Sequence, residues 1–137
     1  SRKKIKERID WALEKVWLTN ARSKRLNTYS KWMLQRIGLA QAILHDPEII
    51  FLDEPMSGLD PIGRKLVKDL MIELKKDKKT IFFNTHILSD VEAICDSFGI
   101  ICEWKMVANM KILELTLPLE DFFMEKIGEN STRNHIV

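Results

Sequence analysis

The run Ile49-Ile50-Phe51-Leu52-Asp53-Glu54-Pro55 constrains this chain more than any other stretch. Its four apolar residues, rich in β-branched and aromatic types, predict a short strand buried on both faces. Two adjacent carboxylates close the strand, and a proline stops it. In open α/β sheets ligands bind outside the carboxyl ends of strands, so paired acids at that end are placed for chemistry. Asp53 suits a magnesium ligand, acting directly or through water. Glu54 suits a group that orients or deprotonates an attacking water. The plainer alternative is an acidic turn after a strand.

Around this strand the pattern alternates between helix and strand. Ile5, Ile9, Ala12, Leu13 and Val16 share one stripe of a helix over residues 3–18, and 19–28 reads as a polar, basic loop. Ser30 is a good N-cap for a second helix reaching about Leu44, with Leu34, Ile37, Gln41 and Leu44 on one line. Such a helix start offers free amides and a positive dipole end, which suits a phosphate, although most caps bind nothing. Asp60 caps the next helix, with Pro61 at its first position and Leu66, Val67, Leu70, Met71 and Leu74 inward. A strand at 80–84 carries Thr85-His86 at its carboxyl end. Ser89-Asp90-Val91-Glu92 has the form of a capping box opening a short helix over 90–96. A strand at 98–102 then pairs with 105–109 through Glu103-Trp104-Lys105, a turn without Gly, Asn or Asp. Pro118 opens a last helix with Leu119, Phe122, Phe123 and Ile127 inward, and the polar tail from Glu129 is expected to fray. The fold class is therefore α/β, a mostly parallel sheet with flanking helices.

A chain of 137 residues holds one domain with a real core. A net charge of +2 is too small to argue for nucleic acid, although basic residues crowd the start (Arg2, Lys3, Lys4, Lys6, Arg8) and recur at Arg22, Lys24, Arg25 and Lys31. Cys95 and Cys102 match no zinc spacing, which favours reduced thiols and a reducing compartment. No signal peptide and no apolar run of some 18 residues is present, so no membrane span is expected. Asn130-Ser131-Thr132 reads as a chance sequon.

In this order the motifs resemble the ATP-binding subunits of ABC transporters, over residues 3–127. Tyr29-Ser30-Lys31-Trp32-Met33-Leu34-Gln35-Arg36 resembles the family's signature motif, and Ile49 to Glu54 its Walker B strand. Ser57-Gly58-Leu59-Asp60 resembles its D-loop and His86 its switch histidine. Pro61-Ile62-Gly63-Arg64 and His86-Ile87-Leu88-Ser89-Asp90 suggest the exporter-type branch.

The resemblance implies ATP and Mg²⁺ as cofactors, with Asp53 in the Mg²⁺ shell, Glu54 polarising the hydrolytic water and His86 contacting the γ-phosphate. Ser30, with the amides of Lys31, Trp32 and Met33, would touch the nucleotide of a partner subunit. Asp60 would act across the dimer seam, a plain N-cap role being equally good. The implied partners are a second ATPase subunit and a membrane permease, at the cytoplasmic face of the cell membrane, with no nucleic acid. Residues 1–47 would form the helical signature region, 48–110 the core from Walker B to the switch histidine, and 111–137 a C-terminal strand, helix and tail.

Two departures accompany the matches. No Gly-x-x-x-x-Gly-Lys-Ser/Thr occurs, since none of the glycines at 38, 58, 63, 99 and 128 precedes a lysine. The phosphate-cradling loop and the family's Q-loop glutamine are both missing. The resemblance therefore implies a partial P-loop NTPase (ABC ATPase) domain lacking the Walker A half, inactive alone. It also implies a slot beside the 80–84 strand where the P-loop strand would pair. The second departure is Trp32, where the signature carries glycine so that backbone can approach phosphate. An indole there is expected to fill the nucleotide site or hold the dimer apart. Trp17 and Trp104 also stand where relatives commonly have glycine, and Met56 where they often have threonine. Three functions follow: an ABC ATPase subunit powering an exporter, a non-catalytic remnant or interaction module, and an ABC-type ATPase acting on nucleic acid or ribosomes.

Overall fold

The helices Lys31–Ile43 and Pro61–Lys76 begin on short oxygen-bearing side chains, Ser30 and Asp60, that the sequence supplies. The computed structural model describes residues 2–133, with side chains through Gly128, and the chain forms two compact units, Ser1–Thr85 and His86–Val137.

In the first unit, α1 (Arg2–Lys15) closes with a reverse turn in which Leu18 N–H donates to Leu13 O at 2.8 Å and Trp17 N–H to Glu14 O at 3.0 Å. Trp17 sits at φ 57°, the left-handed position that glycine fills at most such helix ends. Ala12, Leu13, Val16 and Leu18 are buried, whereas Ile5, on the same predicted stripe, is exposed. Two short 3₁₀ turns, Thr19–Ala21 and Leu26–Thr28, occupy the predicted loop. In α2 (Lys31–Ile43) the buried line is Leu39, Ala40 and Ile43, while Leu34 is exposed. The predicted line through Leu34, Ile37, Gln41 and Leu44 is thus rotated away from the core, and Trp32 and Arg36 take the inward side at its start.

Strands β1 (Ile49–Asp53) and β2 (Thr80–Asn84) pair in parallel, Ile49 with Thr80 through Asp53 with Asn84, with α3 (Pro61–Lys76) between them. Helix α2 packs on β1 and α3 on β2, so Ile50 is 3% exposed and Val67, Leu70, Met71 and Leu74 are buried. The expectation of burial on both faces fails. Alternate residues of a strand point to opposite faces, and on the outer face Ile49, Phe51 (75% exposed) and Phe82 (56%) meet solvent. The Phe51 and Phe82 rings stack there at 5.3 Å.

The second unit holds α4 (Leu88–Ile94), the antiparallel hairpin β3 (Ser97–Cys102) and β4 (Lys105–Lys111), and α5 (Leu119–Arg133). Among the described residues the parallel part of the fold is therefore the β1–β2 pair, with β3–β4 a separate sheet. The capping box at Ser89 does not form, because α4 starts at Leu88 and encloses Ser89. Glu92 instead accepts from Leu119 N–H at 2.8 Å and caps α5. The hairpin turns on Glu103 and Trp104, both left-handed (φ 47° and 64°), with Cys102 and Lys105 paired across it. Such a turn normally demands Asn or Gly, and Trp104 stands 99% exposed at the tip. Phe98 meets Phe122 edge-on at 6.0 Å. The backbone of α5 stays helical to Arg133, beyond Glu129, and residues 134–137 of the predicted tail lie outside the described residues. Cys95 and Cys102 form no disulfide and are half-buried. Among the described residues no helix is long and apolar enough to cross a membrane.

Candidate functional site at the carboxyl end of the parallel strands

The parallel pairing brings Asp53 and Asn84 side by side at the carboxyl end of the first unit's sheet. Together with Phe51, Leu52, Phe82 and Phe83 they line an open, mostly apolar hollow. Asp53 is exposed. One residue on, the strand breaks: Glu54 takes φ 45°, and its N–H donates to Asn84 Oδ1 at 2.8 Å. A left-handed glutamate costs about 1 kcal/mol relative to an ordinary conformation, so the bond to Asn84 offsets a real penalty. Pro55 and Met56 are then buried, and Ser57 N–H returns to Glu54 O at 3.0 Å, closing the turn. Gln35, from α2, donates its amide N–H to Pro55 O at 2.7 Å. Neither Asn84 nor Gln35 stood out in the sequence. A polar residue in register with Asp53 at a strand end was the available signal for Asn84.

Ser30 caps α2 as predicted, its Oγ accepting from Met33 N–H at 3.2 Å. Lys31 reaches across to the turn after β1, its Nζ 4.0 Å from where a Cβ on Gly58 would stand. Gly58 is left-handed, φ 69°, as a tight turn requires. Asp60 caps α3, its Oδ1 accepting from Gly63 N–H at 2.7 Å. Lys31, Glu54 and Asp60 thus flank one turn.

The Trp32 indole lies half-buried against its own chain. Arg36 sits 4.7 Å from its ring centre, and the ring edge is 3.3 Å from a notional Cβ on Gly63. Arg36 in turn donates to Trp17 O at 3.0 Å and to Val16 O at 3.4 Å, tying α2 to the end of α1. Its Nε is buried without a hydrogen-bond partner, and burial pushes the guanidinium below its usual pKa. His86 opens the second unit and is exposed.

Among the described residues no group of three or more His, Cys, Asp or Glu could cage a metal ion. A single exposed carboxylate fits Mg²⁺ nonetheless, because that ion keeps several waters and is bound through one or two carboxylates plus substrate phosphates.

Acids at the carboxyl end of a parallel strand stand where open α/β sheets bind ligands. A family model described as ABC transporter matches residues 2–57. An uncharacterised ABC transporter ATP-binding protein of Synechocystis sp. is 53% identical over 95 residues, 69% of this chain and 27% of its own length. The bacitracin transport ATP-binding protein of Bacillus licheniformis is 46% identical over 106 residues, 77% of this chain and 35% of its own. A solved ATP-binding subunit of an ABC transporter superposes with TM-score 0.80 at 27% identity, over 93% of this chain and 56% of that one. The chain belongs to the ABC transporter ATP-binding family and is a partial P-loop NTPase domain. It spans about a third of the length of these curated relatives.

Proposed function

We propose that this chain supplies the Walker B and signature portion of an ATP-hydrolysing subunit that powers export through an ABC transporter. The observation that carries this reading is Glu54, held in a strained turn directly after Asp53 at the carboxyl end of β1. Asp53 binds Mg²⁺, which supplies charge neutralisation to the phosphates when bound. Glu54 orients and polarises the attacking water, His86 donates toward the γ-phosphate, and chemistry proceeds by positioning and electrostatics without a covalent intermediate. Ser30 and the first amides of α2, at Lys31, Trp32 and Met33, meet the γ-phosphate of a nucleotide held by a second ATPase subunit, with Asp60 at the seam. The similarity to a bacitracin transport protein supports export. A membrane permease is then the second partner, and the subunit lies at the cytoplasmic face of the cell membrane.

These 137 residues hold no P-loop, so the chain alone does not turn over ATP. Titration of MgATP into the purified chain gives no heat of binding. Saturable binding lost in Asp53→Ala would overturn that account. Fusing a P-loop-bearing first half from the family to this chain restores ATP turnover, and Glu54→Gln removes it.

A specific observation favours a second reading, a non-catalytic remnant: Trp32 stands in place of the signature glycine. No turnover in the fused protein after Trp32→Gly would select it. Salt-sensitive nucleic-acid binding would be needed before the basic start argued for an ATPase acting on nucleic acid or ribosomes.

A further inference from the structure

We propose that Asn84 and Gln35 are positioning residues for Glu54, clamping from two sides the turn that presents its carboxylate. This rests on the reading of Glu54 as the group that polarises water. Had β1 simply continued, residue 54 would fall on the covered face with Ile50 and Leu52, because side chains alternate along a strand. The left-handed kink at Glu54 takes it off that face, and such conformations persist only where the surroundings over-determine them. Two contacts do so here. The β2 residue in register with Asp53, Asn84, accepts the Glu54 N–H at 2.8 Å. The signature helix residue Gln35 donates to Pro55 O at 2.7 Å. One bond fixes the peptide entering the kink and the other the carbonyl leaving it. Both partners act on backbone through neutral amides. The clamp also joins three elements at one point: the end of β1, the end of β2 and the helix whose first turn carries Ser30.

The test uses the 137-residue chain, ¹⁵N- and ¹³C-labelled, without nucleotide. Asn84 is exposed, so Asn84→Ala leaves the core intact. It is expected to speed hydrogen exchange at the Glu54 amide about tenfold or more and to move the scalar couplings across the Glu54 φ angle from left-handed to extended values. Asn84→Asp keeps an acceptor oxygen and restores both, which a general loss of stability would not do. Gln35→Met, which removes the donor at similar volume, moves the same couplings to a smaller extent. Unchanged couplings and exchange in a folded Asn84→Ala chain overturn the proposal. Should that variant lose its dispersed spectrum, Asn84→Ser, whose hydroxyl is too short to reach, makes the same comparison. In the fused, P-loop-completed protein Asn84→Ala lowers kcat about tenfold or more with KM unchanged, and Asn84→Asp recovers it; an unaltered kcat counts against the proposal. Turnover that survives Glu54→Gln removes the reading of Glu54 itself, and the couplings still report whether the clamp exists.

Discussion

The two ends of the β1–β2 pair are tied down by different chemistry. At the amino end Asp46, itself left-handed at φ 55°, pairs with Lys79 at 2.9 Å and Arg8 at 3.3 Å. Arg8 also donates to the carbonyls of Leu44 (2.8 Å) and Ile43 (2.9 Å) and covers the Trp11 ring at 3.7 Å. One cationic side chain thus satisfies the last carbonyls of α2, where the helix dipole is negative. At the carboxyl end the turn after Asp53 is fixed by neutral amides, with Asn84 and Gln35 gripping backbone. The amino end is built for stability. On the proposed reading the carboxyl end presents its acids to metal and water.

The largest effect that separates the ends is catalytic. In the P-loop-completed protein Glu54→Gln is expected to lower kcat by about 10²–10⁴, the usual contribution of a positioned general base, while urea unfolding of the 137-residue chain stays put. At the other end Arg8→Ala shifts that unfolding by about 1–3 kcal/mol, because it takes the side-chain donor from Leu44 O, leaves Ile43 O with the Asp46 N–H alone and strips a ring contact. Turnover per folded molecule is unchanged in Arg8→Ala. Equal loss of turnover in both variants would erase the functional difference between the ends.

What was legible in the sequence was local. Ser30 and Asp60 cap helices because a short oxygen-bearing side chain reaches its own first turn, whatever surrounds it. Strand ends at Asp53 and Asn84 followed from composition and flanking turns. Tertiary context decided the rest. The run Ile49–Leu52 cannot say whether helices cover one face or two, and α2 and α3 leave Phe51 and Phe82 uncovered. The α2 stripe turned because Arg36 answers the end of α1 and Trp32 answers Gly63, neither of them visible as hydrophobic periodicity. Glu92 was drawn from its own helix start to that of α5. In the candidate site the acids could be read directly, whereas Asn84 and Gln35 act on backbone from 30 and 20 residues away.

A smaller effect tests whether the carboxyl end sacrifices stability. Glu54→Gly relieves the left-handed strain at φ 45°, and about 1 kcal/mol of gain in the urea midpoint is expected. The same change removes the carboxylate, so the stabler chain is the catalytically dead one. A destabilised Glu54→Gly chain would mean that what the Glu54 side chain contributes outweighs the strain of its backbone.

The smallest effect is electrostatic and belongs to the amino end. A hydrogen bond from Lys79, its charge, and then Arg8 together hold the Asp46 carboxyl below its usual pKa. A group depressed in the folded state binds its proton less readily there than when unfolded, so it stabilises the fold above its unfolded pKa of about 3.9. That contribution fades as pH falls through the lower folded value. Asp46 is exposed, so the pair is screened and its weight is small. Asp46→Asn should therefore lie slightly below the parent in stability near neutral pH and converge with it under acid. Added salt should narrow the gap in the same direction. A gap that stayed constant from neutral pH into acid would assign the role of Asp46 to its left-handed backbone, which asparagine also tolerates, and would leave Arg8 holding α2 through its carbonyls alone.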